Sequence, residues 1–575
     1  MIWANGSLFH HLRRAVIFGF LLALAAGIFL PVYTDEVGWR FQERAWIDGV
    51  DKLYSDQCGP NTLAIPPLFM WPARWFSAFF NTHFPDPLFV RVSGVLYAMA
   101  FVWLVLRLIR QIGRSDEDRD VLAIIAAALM GLGVTPLLLV WSRPEQPILL
   151  AITTAILIAS GGWRSPGNLF APFNGIAYAQ APASPGTAWR RSLLILTLAL
   201  VALSYHFKAV LVAPAFIACI CFASRGRRSL AARGIAIALL LLATGSAAKY
   251  WVTRLECPND PIVAKQHARQ NLGGQMITGS VGTGEAVLRI LGNYHLESYV
   301  NRAAPSVDPM SSWLPIGMVS NDETRGWRGG MTIIWALALI AGIASFVSGV
   351  RIAIRDRVIP PEPIIALMLF GGVSIWCVSQ ITRNAYEASF VLPLLMLAIV
   401  LSLSSPHGSG ALRQWLSTLA LAIGPLMLLS IVLVSGLYGP TLLEDATERD
   451  FLPMHPWSVP VFGYHQSYRD IAGVARDCHL PPTNQASNLL LDDITYFAFM
   501  RSQRPQHELA ILSPQWRGSI TDPIAYLRDR QSSGIILRCR WLPKDLQARA
   551  HQRGAYCCLA PADWPTPSAP ANSAK

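Results

Sequence analysis

The sequence predicts an α-helical polytopic membrane protein of about eleven transmembrane helices, with a small C-terminal α/β domain outside the membrane. Three observations support this prediction. Of the 575 residues, 53% are apolar and only 14% are charged, whereas soluble proteins carry roughly 25% charged residues. Apolar runs of bilayer length recur, and Arg clusters alternate with them. The mean hydropathy of +0.38 excludes a disordered or collagen-like chain.

The first apolar run, Ala15–Tyr33, carries no charge and follows Arg13 and Arg14. It has two interpretations. One is a cleaved signal peptide, for which Ala23-Leu24-Ala25 imitates a cleavage site. The other is a retained signal-anchor, which the many later apolar runs favour.

The later runs suit membrane-spanning helices, because a backbone inside a bilayer must satisfy its hydrogen bonds internally. The run Ser192–Ala223 is too long for one span and is interrupted by Tyr205-His206-Phe207-Lys208, so we expect a helical hairpin there. The other predicted spans are Leu88–Leu108, Val121–Trp141, Pro147–Ser160, Gly234–Trp251, Gly330–Val350, Pro363–Gln380, Ala388–Ser404 and Trp415–Tyr438.

The basic residues predict the orientation. The chain has 47 basic and 35 acidic residues, a net charge of +12. Arg residues crowd the loops on the N-terminal side of the membrane, whereas the opposite short loops hold little beyond Arg143, Lys208 and Arg383. The positive-inside rule then predicts a bacterial inner-membrane protein with a cytoplasmic N-terminus and a periplasmic C-terminal domain. The positive charge therefore indicates topology and no nucleic-acid partner.

Three domains follow from the distribution of charge. Residues 1–438 form the predicted membrane domain, with large outer loops at residues 34–87 and 252–328. Residues 439–563 are richer in charge and form the predicted soluble periplasmic domain, with strands at Asn488–Phe499 and Gly534–Trp541 and a helix at Pro523–Arg530. The Pro- and Ala-rich residues 564–575 predict a disordered tail.

Six of the nine cysteines fall outside the predicted spans, in an oxidising compartment. We expect Cys478 to pair with Cys539 or with one of Cys557 and Cys558. No two cysteines have CxxC spacing, so the sequence predicts no metal ligands.

The pair Asp35-Glu36 directly follows the first span. Acidic residues at a membrane boundary are costly unless they face water or a bound group. Such a carboxylate could remove a proton from an acceptor hydroxyl as a general base. Alternatively, Asp35 is the N-cap of the amphipathic stretch Glu36–Gly49.

Here the sequence resembles a known family. The apolar first span, the Asp-Glu pair, Asp48-Gly49 and Ile65-Pro66-Pro67-Leu68 are similar to the GT-C superfamily of membrane glycosyltransferases. The resemblance is greatest to the branch of protein O-mannosyltransferases and lipid A aminoarabinose transferases. It implies that Asp35 is the catalytic base, with Glu36 beside it. Ile65 departs from the Lys that the family often has before Pro-Pro, which puts one carrier-phosphate contact in doubt.

Two further segments hold candidate substrate-binding residues. In Trp141–Pro147, Arg143 and Glu145 form either a structural ion pair or, as the resemblance implies, contacts to phosphate and to a sugar hydroxyl. In the predicted hairpin turn, Lys208 either extends to the membrane interface or lies near the carrier phosphate. His206 has no second ligand at metal-binding spacing.

The segment Arg383–Glu387 precedes the tenth predicted span. Arg383 and Tyr386 resemble the family's basic residue and Tyr that contact the lipid phosphate. They also fit an ordinary interfacial position for a basic and an aromatic residue.

Taken together, the resemblance implies a glycosyltransferase that moves a sugar from a polyprenyl-phosphate carrier to an envelope glycan, lipid or protein on the periplasmic face. No cofactor is expected, and the residues do not indicate the divalent metal that some GT-C branches use. The alternative is a transporter or flippase of lipid-linked sugars, which needs polar or broken helices at mid-membrane in repeated halves. The ionisable residues instead lie at predicted span ends, which favours the enzyme.

Overall fold

The computed structural model describes most of the chain. The described residues are 6–33, 35–40, 66–84, 86–160, 185–223, 230–255, 321–356, 360–379, 387–404, 410–447, 458–483, 488–500, 506–512 and 520–565, with the short pieces 282, 284–285, 287–288, 297–300 and 485. Arg383 and Tyr386, Asp48-Gly49, Ile65, Cys58, Cys257 and most of the predicted loops 34–87 and 252–328 lie outside them.

The membrane part is a bundle of α-helices. Among the described residues, 6 helices are long and apolar enough to cross a membrane, and further apolar helices are shorter. In chain order the helices are α1 (Gly6–Ala26), α2 (Trp71–His83), α3 (Pro87–Ile112), α4 (Asp116–Gly131), α5 (Thr135–Leu139), α6 (Glu145–Ala159), α7 (Pro185–Tyr205), α8 (Ala209–Phe222), α9 (Leu230–Leu255), α10 (Glu297–Val300), α11 (Asn321–Asp356), α12 (Pro361–Ser379), α13 (Ala388–Leu403) and α14 (Gly410–Thr447).

Two interruptions of these helices position polar residues. Helix α7 ends at Tyr205 and α8 begins at Ala209, so the predicted hairpin is confirmed, with His206-Phe207-Lys208 in its turn. The run Val121–Trp141, predicted as one span, breaks after Gly131. Gly133 there has a φ of 60°, a conformation that glycine adopts without steric cost. We refer to the end of the bundle that carries Asp35, Trp141 and Lys208 as the Asp35 end.

Helix α3 lies unusually close to the segment that follows α5. A Cβ atom on Gly94 would collide with the backbone carbonyl of Val140, so this approach requires glycine. The side-chain amide of Gln146 bridges the same contact, donating to the carbonyls of Gly94 at 3.0 Å and Leu139 at 2.6 Å. The segment 140–146 is thereby fixed against α3.

The C-terminal region contains a five-stranded mixed sheet. Its strand order is β4-β3-β5-β7-β6, with β3 parallel to β4 and β5, and β7 antiparallel to β5 and β6. The strands are β3 (Leu489–Leu491), β4 (Gln506–His507), β5 (Gly534–Arg538), β6 (His551–Arg553) and β7 (Tyr556–Leu559), and the helices are α15 (Tyr464–Asp477), α16 (Asp493–Phe499), α17 (Glu508–Ile511), α18 (Pro523–Asp529) and α19 (Lys544–Gln547).

Two disulfides join this sheet to its surroundings. Cys558 of β7 bonds Cys478 at the end of α15, and its neighbour Cys557 bonds Cys539. Adjacent strand residues point to opposite faces, so one disulfide covers each face of the sheet. The predicted pairing of Cys478 with the 557/558 pair is confirmed, and its alternative pairing with Cys539 is wrong.

The C-terminal region docks on the Asp35 end through a small sheet. Strand β1 (Val32–Tyr33) pairs antiparallel with β2 (Ser458–Val459). Val32 and Val37 are buried in one hydrophobic cluster with Val459 and Ile494. Phe29 also contacts Phe462, with ring centroids 5.5 Å apart.

One predicted strand is partly wrong. Asn488–Phe499 is a strand only over Leu489–Leu491 and then continues as helix α16. The cause is a capping box, in which Asp492 and Thr495 each accept the other's backbone N–H and so start a helix. The strand predicted at Gly534–Trp541 ends at Arg538, and the helix predicted at Pro523–Arg530 forms over Pro523–Asp529.

Candidate functional site

Asp35 begins a helical turn, residues 35–40, directly after β1. Its Oδ2 accepts a hydrogen bond from Nη1 of Arg143 at 2.9 Å. The neighbouring Glu36 is the residue that accepts a backbone N–H at this turn, from Tyr33 at 3.0 Å. The carboxylate of Asp35 thus forms an ion pair with Arg143, and the carboxylate of Glu36 accepts the backbone N–H at the start of the turn.

Arg143 and Glu145 form the next link. Nε of Arg143 donates to Oε2 of Glu145 at 3.2 Å. Glu145 is the first residue of α6, and its Oε1 accepts a hydrogen bond from Nζ of Lys208 at 2.7 Å. Asp35, Arg143, Glu145 and Lys208 thus form a row of alternating charges, which we call the charge row.

Exposure distinguishes the members of the charge row. The side chains of Arg143, Glu145 and Lys208 are 10%, 2% and 3% exposed, whereas that of Asp35 is 38% exposed. Glu145 carries one negative charge between two cations, so the trio without Asp35 has a net charge of +1. Asp35 is thus the member that solvent and an incoming molecule reach most easily.

Lys208 is buried within the bundle. Its Nζ lies 4.9 Å from the ring centroid of Trp376 and 5.8 Å from that of Phe390, in cation–π geometry. Its backbone N–H also bonds Nδ1 of His206 at 3.1 Å. The ammonium of Lys208 is therefore buried against Glu145.

Glu36, predicted as a catalytic residue beside Asp35, forms a buried ion pair. It is fully buried and pairs with the equally buried Arg91 of α3 at 2.7 Å. Its Oε1 also accepts the backbone N–H of Ser142 at 2.7 Å. Glu36 therefore joins α3, β1 and the segment before Arg143, and so holds together the segments that carry Asp35 and Arg143.

Arg91 and Arg40 complete this support. Arg91 donates to the backbone carbonyls of Leu30 at 2.8 Å and Val140 at 2.9 Å. Arg40 donates to the carbonyl of Glu36 at 2.7 Å and to Oγ of Ser142 at 3.1 Å. Neither residue was predicted from the sequence. The signal for Arg91 was a charge inside the apolar run Leu88–Leu108, which is costly unless it has a function.

Aromatic rings line the same end of the bundle. Tyr33 stacks on Trp141, with ring centroids 5.1 Å apart. His206, Trp39 and Trp251 form a three-ring cluster, in which the His206 centroid lies 5.7 Å from Trp39 and 5.9 Å from Trp251, and the two Trp centroids are 6.4 Å apart. Arg74 of α2 lies 5.2 Å from the ring centroid of Trp251. His206 is therefore part of an aromatic wall beside the charge row.

The surroundings of Asp35 change its proton affinity. Partial burial raises the pKa of the Asp35 carboxyl above its ordinary value, and the carboxylates of Glu145 and Asp493 raise it further. The guanidinium of Arg143 acts in the opposite direction. A raised pKa makes this carboxylate a stronger base than a solvated aspartate.

The structure brings together six of the eight predicted site residues: Asp35, Glu36, Arg143, Glu145, His206 and Lys208. Arg383 and Tyr386 lie outside the described residues, although Glu387 immediately after them is buried at the start of α13. Within the described residues, no three His, Cys, Asp or Glu side chains are grouped as metal ligands.

The chain is similar to two solved membrane-protein structures. No protein-family model matches it, and no curated protein matches it. It is similar to ArnT from Cupriavidus metallidurans bound to undecaprenyl phosphate, with 11% identity, a TM-score of 0.43, and coverage of 96% of this chain and 98% of that one.

It is also similar to the archaeal oligosaccharyltransferase AglB from Archaeoglobus fulgidus, in complex with an inhibitory peptide and a dolichol-phosphate. There the identity is 10% and the TM-score 0.37, over 91% of this chain and 69% of that one. Because both TM-scores lie below 0.5, the chemistry of the site is inferred from this chain's own residues.

Proposed function

We propose that this chain is a GT-C-type glycosyltransferase that moves a sugar from a polyprenyl-phosphate carrier to an acceptor hydroxyl. One observation carries the proposal: Asp35 is the exposed end of an otherwise buried charge row, and the remainder of that row has a net positive charge. A base thus lies beside a cationic group. This is the arrangement needed when a hydroxyl loses a proton and a phosphate leaves.

The reaction would proceed by inversion. The acceptor O–H bond breaks and its proton moves to Oδ of Asp35, while the acceptor oxygen forms a bond to the anomeric carbon. The bond between that carbon and the carrier phosphate breaks, and the phosphate leaves with the electron pair. Because phosphate is a good leaving group, the role left to the protein is to stabilise its charge.

Arg143 is suited to bind that phosphate. Its guanidinium is a planar donor that can hold a phosphate bidentately, and it already lies between two carboxylates. Lys208 neutralises Glu145 from the other side at 2.7 Å, so Glu145 does not cancel the charge of Arg143. Glu145 is accordingly a residue that orients both cations.

The finer topology is part of the same proposal. We propose eleven crossings, a cytoplasmic N-terminus and a periplasmic active site in a bacterial inner membrane. The Arg residues at the opposite end of the bundle support this orientation. There Arg13 pairs with Asp120, and Arg413 pairs with Glu117 at 2.9 Å.

The deciding experiment compares Asp35→Asn with the wild type in nanodiscs, using a labelled sugar on undecaprenyl phosphate, the lipid bound in the ArnT structure. Removing a general base should lower transfer by about 10²- to 10⁴-fold with carrier binding nearly unchanged. The matched control is Asp116→Asn, an aspartate 94% exposed at the opposite end of the bundle. Full transfer by the Asp35 variant would overturn the assigned base. Translocation of the carrier without transfer would favour a flippase.

A further inference from the structure

The C-terminal region carries two adjacent, fully buried aspartates, Asp492 and Asp493. Asp492 is occupied within that region, because its Oδ1 accepts the backbone N–H of Thr495 at 3.0 Å and its Oδ2 pairs with Nε of Arg538 at 2.7 Å. The Arg538 guanidinium and the hydrogen bonds from Thr495 hold the pKa of Asp492 below its ordinary value, against the opposing effect of burial. Asp493 is the first residue of α16, and the hydrogen bonds of Asp492 fix the backbone directly before it.

The docking of the C-terminal region brings α16 to the Asp35 end. Helix α16 packs against β2, and β2 pairs with β1 with Tyr33 opposite Ser458. Ile494, next to Asp493, is buried in one cluster with Val32 and Val37, which flank Asp35 in the chain. Helix α16 and the residues on either side of Asp35 therefore pack into the same hydrophobic cluster.

The charges that act on the proton affinity of Asp35 come from several elements. Arg143 and Glu145 come from the segment that leads into α6, and Asp493 comes from α16. Arg91 of α3 and Arg40 of the same helical turn are both engaged by Glu36, through its carboxylate and its carbonyl respectively. The pKa of Tyr33 on β1 is raised by burial, and the carboxylates of Asp35 and Asp493 raise it further.

We propose that Asp493 is a positioning residue of the site, whose negative charge faces Asp35 across the β1–β2 junction and keeps Asp35 able to accept a proton. The proposal rests on the proposed function, in which Asp35 is the base. Two like charges in a poorly solvated space disfavour each other's ionised form. The C-terminal region would thus take part in catalysis through one carboxylate that contacts no substrate.

The first test is the pH dependence of kcat/KM for Asp493→Asn. Removing one nearby negative charge should move the acidic limb of the profile to lower pH by roughly 0.5–1 unit. The matched control is Asp477→Asn, which removes a half-exposed carboxylate from the same region and should leave the limb in place. Asp493→Glu keeps the charge and should also keep the wild-type limb. An Asp493→Asn protein with an unshifted limb would overturn the proposal.

The second test needs no transfer activity, so it separates this proposal from the proposed function. Thermal unfolding is measured for Asp35→Asn, Asp493→Asn and the double variant at pH 8 and at pH 4. The effects on Tm should be non-additive by roughly 1–2 °C at pH 8, and the non-additivity should shrink at pH 4 as Asp35 takes up a proton. Additive effects at both pH values would overturn the juxtaposition. If the variants show this non-additivity but the wild-type protein transfers no sugar, only the proposed function is overturned.

Discussion

Glu36 and Arg91 form a fully buried ion pair, with Oε2 of Glu36 2.7 Å from Nη2 of Arg91. The pair joins the first apolar helices to the segment that carries Arg143, because Glu36 also accepts the backbone N–H of Ser142. Arg91 additionally donates hydrogen bonds to three backbone carbonyls. Glu36 thus links the two segments that carry Asp35 and Arg143.

Glu36→Gln should destabilise the protein by about 3–5 kcal/mol, because it leaves the Arg91 guanidinium buried without its counter-charge. Thermal unfolding in detergent would measure this loss. The double variant Glu36→Gln with Arg91→Met should be less destabilised than the single variant, since it removes the uncompensated charge. A single variant as stable as the wild type would show that the pair does not hold this segment.

Arg143→Gln should change the pH profile in the direction opposite to Asp493→Asn. The Arg143 guanidinium lowers the pKa of Asp35, so its removal lets burial and Glu145 raise that pKa further. The acidic limb of kcat/KM should then move to higher pH, and the plateau should fall because a phosphate contact is lost. The pH profile of residual transfer checks the sign, and a limb at lower pH would contradict it.

Gly94→Ala should perturb the site from within α3. Its Cβ would collide with the backbone carbonyl of Val140, and backbone cannot move aside as a side chain can. We expect a loss of about 1–3 kcal/mol in stability and weaker transfer through displacement of Arg143. Gly245→Ala in α9 is the matched control. Among the described residues, no atom outside its own helix lies within 4 Å of its added Cβ, so it should stabilise the helix by about 0.5–1 kcal/mol.

Much of the bundle could be predicted from the sequence, because apolar length and helix breaks are local properties. The hairpin turn at Lys208 followed from a polar interruption in one long run, and Arg143 and Glu145 from their place at a span end. These residues meet because each lies at the same end of its helix. Two-residue strands carry no local pattern, so the pairing of Tyr33 with Ser458, and with it the approach of Asp493, could not be predicted.

The two disulfides should differ in what they contribute to stability. Cys478–Cys558 closes a loop with a sequence separation of 80, and Cys539–Cys557 one of 18. In the chain-entropy model the longer loop stabilises more, about 4.5 against about 3 kcal/mol. The paired variants Cys478→Ser/Cys558→Ser and Cys539→Ser/Cys557→Ser should follow that order in thermal unfolding.

Cys478 and Cys558 also join α15 to the sheet beside the cluster that holds Val32. Their loss should therefore weaken docking on the Asp35 end and lower transfer, whereas the other pair leaves transfer near the wild-type level. Equal effects of the two pairs on transfer would contradict a role for this docking in the site.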